Sequence, residues 1–380
     1  MKMLYILNVA NRVNNFCMSS LIAAKKTGIE YHIAGNWGYA NDAERVADEE
    51  KYGIHIYQID FIRFPLDIRN YKAYKQLKEI VNREKYDVIY CNTPTGGLLG
   101  RLAGKKCGVK KVIYQAHGFH FYKGAPKLNW MVYYPIEKWL AHHTDALITI
   151  NQEDYELAKT KLKLRRNGKV YYVPGVGIDT TQYALSAKAR EEKRIELKLA
   201  ENDVALISMG DLIERKNYDT AIRAIAEANN PALQYFICGK GPEEENLKAL
   251  AVSLGVSEQI HFLGFRSDIK ELLAAVDIFL FTTKQEGLPR SMMEAMASGL
   301  PCIASKVRGN TDLLEDGVGG YLCEVDNSTE YANAIKKLVE EPELRKQLGT
   351  ANSKHILDFD ISKISQKMEE IYVAEFKISE

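Results

Sequence analysis

The chain has 380 residues, 46% of them hydrophobic, and a formal net charge of +1, which suffices for two domains with full hydrophobic cores. No stretch approaches the roughly 18 apolar residues of a membrane-spanning helix. The N-terminal MKMLYILNVA has too short an apolar run for a secretory signal, so we expect a first strand there. The cysteines are dispersed without a CxxC pair, which favours buried thiols in a reducing cytosol.

The charge is unevenly distributed along the chain. Residues 1–175 carry a net charge of +11, and residues 176–380 carry −10. A basic half joined to an acidic half indicates two units with different partners. Random drift of surface charge is the alternative interpretation, but the change of sign near a plausible linker favours the first.

The first half alternates short apolar runs with amphipathic ones, the pattern of strands followed by helices. Helices are predicted over 71–84 and 152–162, among others. Because the strands look buried and alternate with helices, we expect a parallel sheet covered on both faces. Strands are predicted at 3–9, 31–36, 54–59, 87–91, 111–116, 146–150 and 170–174.

The second half repeats this pattern. The predicted fold class is therefore α/β, with two Rossmann-like, doubly wound domains that face each other across a cleft. Ligands are expected outside the carboxyl ends of the strands. Strands are predicted at 204–210, 233–239, 259–264, 277–283 and 301–305, and helices near 218–229, 243–254, 267–275, 290–298, 328–340 and 343–355.

The domain boundary is predicted where VPGVGIDTTQY places a proline and two glycines before a charged helical segment. We expect an N-terminal domain over 1–175, a linker region over 176–200 and a C-terminal domain over 201–357. Residues 358–380 predict an amphipathic helix that can pack back on the N-terminal domain.

The clearest chemical motif is QEGLPRSMMEAMASG, at 285–299. It directly follows a predicted strand, and Pro289 and Gly299 suit the two ends of a helix over 290–298. The N-terminus of that helix favours an anion such as phosphate. Glu286 lies at this anion site, where a carboxylate is unfavourable unless it serves a sugar hydroxyl. Glu294 lies one turn into the helix and can accept hydrogen bonds from a ribose. A helix-dipole residue and an ordinary surface residue are the alternatives.

The string EGLPRSMMEAMASGLPCIAS resembles the signature of glycosyltransferase family four, whose members are retaining enzymes of the GT-B fold. MGDLIERKN resembles the family's diphosphate loop, ICGKGPEEENLKALA its Gly-x-Gly-Pro turn, IHFLGFRSDIKELLAAVDIFL its nucleobase pocket and YVPGVGID its interdomain linker. The resemblance covers nearly the whole C-terminal half. It implies that Gly287, Leu288 and Pro289 contact the donor, that Glu286 positions the sugar and that Glu294 holds the ribose.

Two cations, Arg215 and Lys216, follow a predicted strand end. There they can neutralise a nucleotide diphosphate and stabilise it as it leaves; an exposed turn is the alternative. Lys216 matches the lysine of the family motif. The family often has arginine directly after Gly210, where this chain has Asp211, so either Arg215 replaces that arginine or phosphate binding is weaker.

Gly239 and Gly241 follow another predicted strand. A dinucleotide-binding motif needs a third glycine and a place near the first strand, so we reject NAD binding. We interpret these glycines as a close approach of the backbone to the nucleotide. Arg266 can flank the base, or it can cap a helix at the surface.

Histidines and a polar loop are the candidates in the N-terminal half. His117 ends a predicted strand, and the family resemblance places a sugar-contacting histidine there. His120 is a second candidate, for the acceptor, and either histidine can instead be structural. The polar loop after the first strand can bind acceptor hydroxyls or phosphate, or form a turn before a helix. Its candidates are Asn11, Arg12, Asn14 and Asn15.

The segment 114–155 is rich in aromatic residues, with lysines nearby. This combination suits a surface that rests on anionic lipid, and a basic face over an aromatic core is the alternative. Nucleic acid is a weaker interpretation, because no nucleic-acid module is visible. The segment further resembles bacterial members that build capsule, exopolysaccharide or lipopolysaccharide units. The aromatic residues are Phe119, Phe121, Tyr122, Trp130, Tyr133, Tyr134 and Trp139.

Together these features predict a retaining glycosyltransferase that uses a nucleotide-diphosphate sugar, expected to be UDP-linked, without a metal cofactor. Its acceptor is expected to be lipid-linked or a saccharide, at the cytoplasmic face of the plasma membrane. Glu286, His117 and Lys216 are the predicted catalytic residues. The alternatives are a sugar-nucleotide epimerase that acts on the donor alone and a non-catalytic nucleotide-binding scaffold.

Overall fold

The computed structural model describes residues 1–13, 15–38, 40–184 and 186–377. The chain divides into two units, Met1–Gly177 with Ile361–Glu380, and Ile178–Asp360. Each unit is a parallel sheet with a hydrophobic core on both faces, so the predicted α/β, doubly wound fold class is confirmed. In the part of the chain that the structure describes, no helix has the length and apolar character to cross a bilayer.

The first unit alternates strands and helices along the chain. Its strands are β1 Lys2–Val9, β2 Glu30–Asn36, β3 His55–Gln58, β4 Val88–Asn92, β5 Lys111–Ala116, β6 Ala146–Thr149 and β7 Lys169–Tyr172. Its helices up to β7 are α1 Asn15–Lys26, α2 Asp42–Tyr52, α3 Asn70–Glu84, α4 Pro94–Lys106, α5 Lys127–Ala141 and α6 Gln152–Lys161.

Over the described residues, the strands of the first unit pair in parallel in the order β3-β2-β1-β4-β5-β6-β7. Successive side chains of β1 point to opposite faces of this sheet. Met3 and Tyr5 enter the core covered by α1, whereas Leu4 and Ile6 enter the core covered by α3 and α4. This burial on both faces explains why the strands are continuous apolar runs.

A buried ion pair joins α4 to α5 in the first unit. Arg101 is buried, and its guanidinium forms paired hydrogen bonds with the Glu137 carboxylate. Its Nε donates to the Gly97 carbonyl at 2.7 Å, and its guanidinium lies 3.9 Å from the centre of the Tyr114 ring. Burial lowers the pKa of Arg101, but Glu137 more than offsets this, so the net shift is upward. The Arg101 guanidinium therefore stays charged in the core.

The second unit has the same plan. Its strands pair in parallel, and the last of them, Gly320–Cys323, was not predicted from the sequence. The strands are β8 Val204–Met209, β9 Leu233–Cys238, β10 Ile260–Gly264, β11 Ile278–Phe281, β12 Cys302–Ser305 and β13 Gly320–Cys323. The helices are α7 Ala187–Glu196, α8 Tyr218–Ala228, α9 Glu244–Ser253, α10 Ile269–Ala275, α11 Arg290–Ala297, α12 Asn310–Leu313, α13 Ser328–Glu340 and α14 Pro342–His355. Over the described residues the order is β10-β9-β8-β11-β12-β13.

Residues 178–200, predicted as part of a linker, belong to the second unit. Arg190 and Arg194 on α7 both reach Asp277, at 2.6 and 3.4 Å. Arg190 also donates to the carbonyls of Ala274 and Val276. These contacts attach α7 to the segment before β11, and no pattern in the local sequence indicates them.

The final helix, α15 Ile361–Phe376, groups with the first unit and packs against α1. The Tyr372 hydroxyl lies 2.6 Å from Ser20 Oγ inside the core. Glu375 accepts hydrogen bonds from the Tyr171 hydroxyl, at 2.7 Å, and from Lys111. Apolar and polar contacts thus both fix α15 onto the sheet of the first unit.

Replacing Tyr372 by phenylalanine is expected to lower the free energy of unfolding by about 1 kcal/mol, because it removes one buried hydrogen bond and little apolar area. Urea unfolding followed by circular dichroism measures this difference. Tyr71→Phe, at an exposed tyrosine of the same unit, is the matched control and should change stability little. An equal loss in both variants would contradict the assigned role of the Ser20 contact.

Candidate functional site

The carboxyl edge of the second sheet gathers the predicted donor residues. Strand order runs from β9 through β8 to β11, so the chain changes direction across the sheet beside β8. Loops at such a switch point form the usual ligand site of an open parallel sheet. Arg215 and Lys216 follow β8 in a one-turn 3-10 helix, and Glu286 lies in the loop between β11 and α11.

Lys216 and Glu286 form a shielded pair at this edge. A single oxygen of the Glu286 carboxylate, Oε1, accepts from Lys216 Nζ at 2.7 Å and from Thr283 Oγ1 at 2.9 Å. Arg215 Nη1 reaches the same oxygen at 3.1 Å. The side chains of Lys216 and Glu286 are each only 12% exposed, so water screens their interaction weakly.

The backbone of the Glu286 loop is held from two sides. Arg215 Nη1 donates to the Gln285 carbonyl at 2.5 Å, and the buried Arg308 donates through Nε to the Glu286 carbonyl at 3.1 Å. Gly309 has φ +83°, and a Cβ there would lie 2.5 Å from the Gly287 carbonyl oxygen. Arg308 was not among the predicted site residues, although KVRGN directly follows the predicted strand 301–305 and so marks the same sheet edge.

The helix predicted over 290–298 is α11, which begins at Arg290 with Pro289 as its N-cap and ends at Ala297. Glu294 accepts a hydrogen bond from Arg290 Nε at 2.7 Å. The buried Tyr183 lies beside Glu294; burial, and then the Glu294 charge, raise the pKa of Tyr183 to about 12. Glu294 is therefore part of a polar cluster with Arg290 and Tyr183, and no local pattern indicates Tyr183.

Packing between two loops of the second unit explains why residues 239 and 241 are glycines. A Cβ on Gly239 would lie 1.9 Å from the Gly210 carbonyl oxygen, and one on Gly241 would lie 2.2 Å from the Leu212 carbonyl oxygen. Only glycine permits the loop after β9 to pack this closely on the loop after β8. Contact between these two loops therefore suffices to explain both glycines, without the nucleotide.

Arg266 follows β10 and is held by two carboxylates. It binds Asp268 through paired hydrogen bonds and Glu196 at 2.8 Å. Asp268 and then Glu196 raise the pKa of Arg266. These contacts attach the segment after β10 to the end of α7. Arg266, predicted to flank a base, thus binds two carboxylates of its own unit.

Asp211 is exposed in the loop after β8.

His117 lies at the carboxyl edge of the first sheet, directly after β5. Its Nε2 lies 2.9 Å from Oδ1 of Asn92, the last residue of β4, and its ring meets Phe16 edge-on. Burial lowers the pKa of His117 to about 4, which keeps the imidazole neutral near pH 7. Thr93 has φ 63° and ψ 160°, a strained backbone conformation of the kind that clusters at functional sites.

The His117 imidazole is expected to stay neutral from about pH 8 to about pH 5, because its pKa is about 4. The unfolded chain takes up this proton near the usual histidine pKa of about 6.5. Stability is therefore lost as the pH falls from about 6.5 to about 4. Titration of ¹³C-labelled histidine by NMR tests this, with His117→Asn to assign the resonance. A midpoint near 6.5 would contradict the prediction.

Arg12 and His120, two other candidates of the first unit, have partners of their own. Arg12 binds Asp48 on α2 through Nε and Nη2, at 2.9 and 2.7 Å, and Asp48 also accepts from the Val13 N–H. The Arg12 guanidinium thus fixes α2 to the loop after β1, a partner that local sequence did not reveal. Exposed His120 stacks on Tyr133 with ring centres 4.6 Å apart. Asn11 is exposed; Asn14 and the side chain of Asn15 lie outside the described residues.

The aromatic segment of the first unit separates into a core and a surface. Phe119 and Phe121 are buried, and Trp130, Tyr133 and Tyr134 pack against the same core. The aromatic-core interpretation therefore holds for these five residues. Trp139 is half exposed on α5 and is aligned with four other exposed apolar residues of that helix. We call this set the α5 stripe: Leu128, Met131, Val132, Pro135 and Trp139.

Among the residues that the structure describes, no three histidine, cysteine, aspartate or glutamate side chains gather in a way that could hold a metal ion.

The cysteines are buried, apart from Cys107, which is partly exposed. Burial raises the pKa of the Cys91, Cys238 and Cys302 thiols, and of Cys302 above the usual range. Such thiols are inert structural residues.

Comparisons with known proteins agree on one family. The family model "Glycosyl transferase 4-like" matches residues 2–151, and "Glycosyl transferases group 1" matches residues 189–355. EpsD of Bacillus subtilis (strain 168), which is named as a glycosyltransferase, is 36% identical over 356 residues, covering 92% of this chain and 90% of EpsD. An Escherichia coli UDP-Gal:alpha-D-GlcNAc-diphosphoundecaprenol alpha-1,3-galactosyltransferase is 29% identical over 80% of each chain.

Solved structures give the same fold. Alr3699/HepE of Anabaena, crystallised in complex with UDP, superposes with a TM-score of 0.80 over 98% of this chain and 100% of HepE, at 22% identity. WaaG, a glycosyltransferase involved in lipopolysaccharide biosynthesis, gives a TM-score of 0.74 at 17% identity over 97% of this chain and 99% of WaaG. The chain therefore belongs to the group 1, family 4-like glycosyltransferases, and it has their GT-B fold.

Proposed function

We propose that this glycosyltransferase moves a sugar from a UDP-sugar donor, with retention of anomeric configuration, to a lipid-linked or saccharide acceptor in the synthesis of a bacterial surface polysaccharide. The observation that carries this proposal is the shielded Lys216–Glu286 pair beside the N-terminus of α11. In this pair, Lys216 is a cation that can bind phosphate and Glu286 is a carboxylate that can bind sugar hydroxyls. Both lie at the carboxyl edge of one sheet.

The diphosphate binds at Lys216 and at the backbone N–H groups that begin α11. An ammonium ion and a helix N-terminus both favour an anion, and both stabilise the charge that develops on a departing diphosphate. The Arg215 side chain is 42% exposed, so hydrogen-bond donors of its guanidinium remain accessible to phosphate beside their contacts with the Glu286 loop. Arg215 thereby compensates in part for the arginine that the family often has at the position of Asp211.

Glu286 and Glu294 orient the sugar and the ribose. The carboxylate of Glu286 is positioned by Lys216, Thr283 and Arg215 through a single oxygen, an arrangement that suits a hydrogen-bond acceptor for sugar hydroxyls better than a covalent nucleophile. Glu294, fixed by Arg290 at 2.7 Å, accepts from the ribose diol. His117 offers a neutral imidazole to a sugar hydroxyl.

Retention follows from displacement on one face of the sugar. The bond from the anomeric carbon to the diphosphate oxygen breaks while the acceptor oxygen forms a new bond on the same face. The acceptor proton passes to the departing phosphate oxygen, so no separate base is needed. Lys216 and the start of α11 stabilise the negative charge left on the diphosphate.

Similar proteins support the choice of substrates. The Escherichia coli relative is named for UDP-Gal and a GlcNAc-diphosphoundecaprenol acceptor, and HepE has been solved with UDP and with UDP-glucose. A diphosphoundecaprenol acceptor is held in a membrane. The α5 stripe, with Leu128 67%, Met131 73% and Trp139 50% exposed and Lys127 and Lys138 beside it, suits attachment to the anionic cytoplasmic face of that membrane.

We also propose that the reaction needs no metal ion, because Lys216, Arg215 and the start of α11 supply the positive charge that the diphosphate requires. Transfer in excess EDTA should equal transfer with added Mg²⁺ or Mn²⁺. Loss of activity in EDTA, restored by a divalent ion, would contradict this part of the proposal.

Thermal-shift titration of the full chain with UDP, GDP, ADP and NAD in EDTA tests the donor assignment. UDP should raise the melting temperature by mass action, and Glu294→Ala should weaken that shift. Glu245→Ala, at an exposed glutamate on α9, is the control. A shift with GDP or ADP alone would show that the donor carries guanine or adenine in place of uracil. No shift with any nucleotide would contradict the donor site.

Turnover separates the proposed transfer from its alternatives. Incubation of the chain with a UDP-sugar and a lipid-linked saccharide should yield UDP and an extended acceptor, detected by mass spectrometry. Conversion of the UDP-sugar alone into another UDP-sugar would show an epimerase. Binding of UDP without turnover of any sugar nucleotide would support a non-catalytic scaffold.

A further inference from the structure

The first unit exposes an apolar patch, which we call the tip, between β3 and α3. The segment 59–69, which we call the β3–α3 loop, exposes Phe64 (57%), Leu66 (58%) and Ile68 (88%). Tyr71, in the first turn of α3, is also 63% exposed. Single exposed apolar residues are ordinary, but four large ones within eight residues form a patch that requires an explanation.

The β3–α3 loop is held in this shape by buried polar groups. Asn70, which is buried, accepts from the Ile62 N–H at 2.9 Å and donates to the Phe64 carbonyl at 2.8 Å. Thr95, in the first turn of α4, donates to the carbonyls of Ile62 and Arg63. Because these bonds fix the backbone, the exposure of the tip is a property of the folded unit.

The charge around the tip is positive. Residues 60–75 carry a net charge of +2, and Asp60 and Asp67 are already paired with Lys72 and Arg69. Arg63 and Lys75 lie on the same segment. Basic residues that flank exposed apolar ones match a surface with anionic head groups over an apolar layer.

The high exposure of the tip favours a bilayer as its partner. Phe64, Leu66 and Ile68 keep more than half of their surface exposed, so a protein partner would need a matching pocket for each. The interior of a bilayer accepts protruding apolar side chains without such a pocket. The loop is also joined through Thr95 to α4, and α4 is joined through the Arg101–Glu137 pair to α5, which carries the α5 stripe.

We propose that the β3–α3 loop inserts Phe64, Leu66 and Ile68 into an anionic bilayer and gives the first unit a second attachment beside the α5 stripe. This inference rests on the proposed function in one respect, since a lipid-linked acceptor brings the enzyme to a membrane. One helix lying on a bilayer leaves rotation about its own axis free. A second contact removes that freedom and fixes the angle at which the carboxyl edge of the sheet meets the membrane.

Binding of the full chain to vesicles tests the proposal. Phosphatidylcholine vesicles with phosphatidylglycerol should bind the wild-type chain, and Phe64→Ser/Leu66→Ser/Ile68→Ser should bind roughly tenfold to a hundredfold more weakly, because three apolar side chains no longer enter the bilayer. The control, Ile195→Ser/Val252→Ser/Leu357→Ser, removes three exposed apolar residues of the second unit and should bind like wild type. Equal binding by both triple variants would overturn the proposal.

A fluorescent probe locates the loop itself. An environment-sensitive dye on Ile68→Cys, in a Cys107→Ser background because the remaining cysteines are buried, should shift to the blue on anionic vesicles. The same dye on Val252→Cys should not shift. A dye at position 68 that stays in water while the chain is vesicle-bound would overturn the proposal. So would dimerisation of the wild-type chain that the loop triple variant abolishes, since a second copy would then cover the tip.

UDP binding separates this proposal from the donor site. The loop triple variant should keep the UDP-induced thermal shift of wild type, which also shows that it is folded. Wild-type chain that binds UDP but no vesicles would overturn the membrane inference alone. Vesicle binding without any nucleotide binding would contradict the donor site and leave the loop assignment supported.

Discussion

Replacing Lys216 by alanine is expected to lower kcat for glycosyl transfer about 10²- to 10³-fold, the range seen when one group that stabilises transition-state charge is removed. The ammonium lies 2.7 Å from Glu286 Oε1 and 4.8 Å from the Phe281 ring. Its loss removes a cation from the departing diphosphate and a partner from the carboxylate that orients the sugar. Steady-state kinetics with a UDP-sugar measure both consequences.

Lys306→Ala is the matched control for Lys216→Ala. Lys306 follows β12 at the same edge of the same sheet, but its side chain is mostly exposed and its contact with Glu324 is long, at 3.9 Å. We expect it to keep nearly full activity, since exposed ion pairs contribute little. Similar losses in the two variants would show that general surface charge, and not the Lys216–Glu286 pair, supports transfer.

The second large effect is expected in the core of the first unit. Replacing Arg101 by methionine should lower the free energy of unfolding by about 3–5 kcal/mol, because it leaves the Glu137 carboxylate buried without its partner. The substitution also removes the hydrogen bond to the Gly97 carbonyl and the contact with the Tyr114 ring. Urea unfolding followed by circular dichroism gives the difference.

The double variant Arg101→Met/Glu137→Leu distinguishes a lost charge partner from lost packing. It removes both charges together, so we expect it to recover most of the stability lost by Arg101→Met alone. If the double variant is as unstable as the single one, packing around Tyr114 and Gly97 is the larger contribution. Arg45→Met, at a partly exposed arginine on α2, should change stability by well under 1 kcal/mol.

Local patterns in the sequence predicted most strands and the site motif. β8 and β11 are buried on both faces and so are continuous apolar runs, and the ends of α11 follow from Pro289 and Gly299. Glu286 and Lys216 were predicted because each lies in the loop after such a strand. Their contact at 2.7 Å spans 70 residues, and only the parallel pairing of β8 with β11 brings them together.

The missed features are contacts between segments distant in sequence. Arg308 donates to the Glu286 carbonyl, and Tyr183 lies beside Glu294. The sequence around Arg308 and Tyr183 does not indicate either partner. Arg12, a candidate for the acceptor in the polar loop after β1, has Asp48 on α2 as a partner that the local sequence does not show. The sequence gives the position of a charged residue along the chain, but the tertiary structure determines which opposite charge pairs with it.

The return of α15 to the first unit has a consequence for how the protein is made. On the ribosome, residues 178–360 form a continuous stretch that can fold as soon as it has emerged. The core that α15 completes through Ile364, Met368 and Tyr372 stays uncovered until α15 leaves the exit tunnel. Synthesis of the first unit therefore starts before that of the second unit and is completed after it, and during translation its uncovered face is open to aggregation and to chaperones.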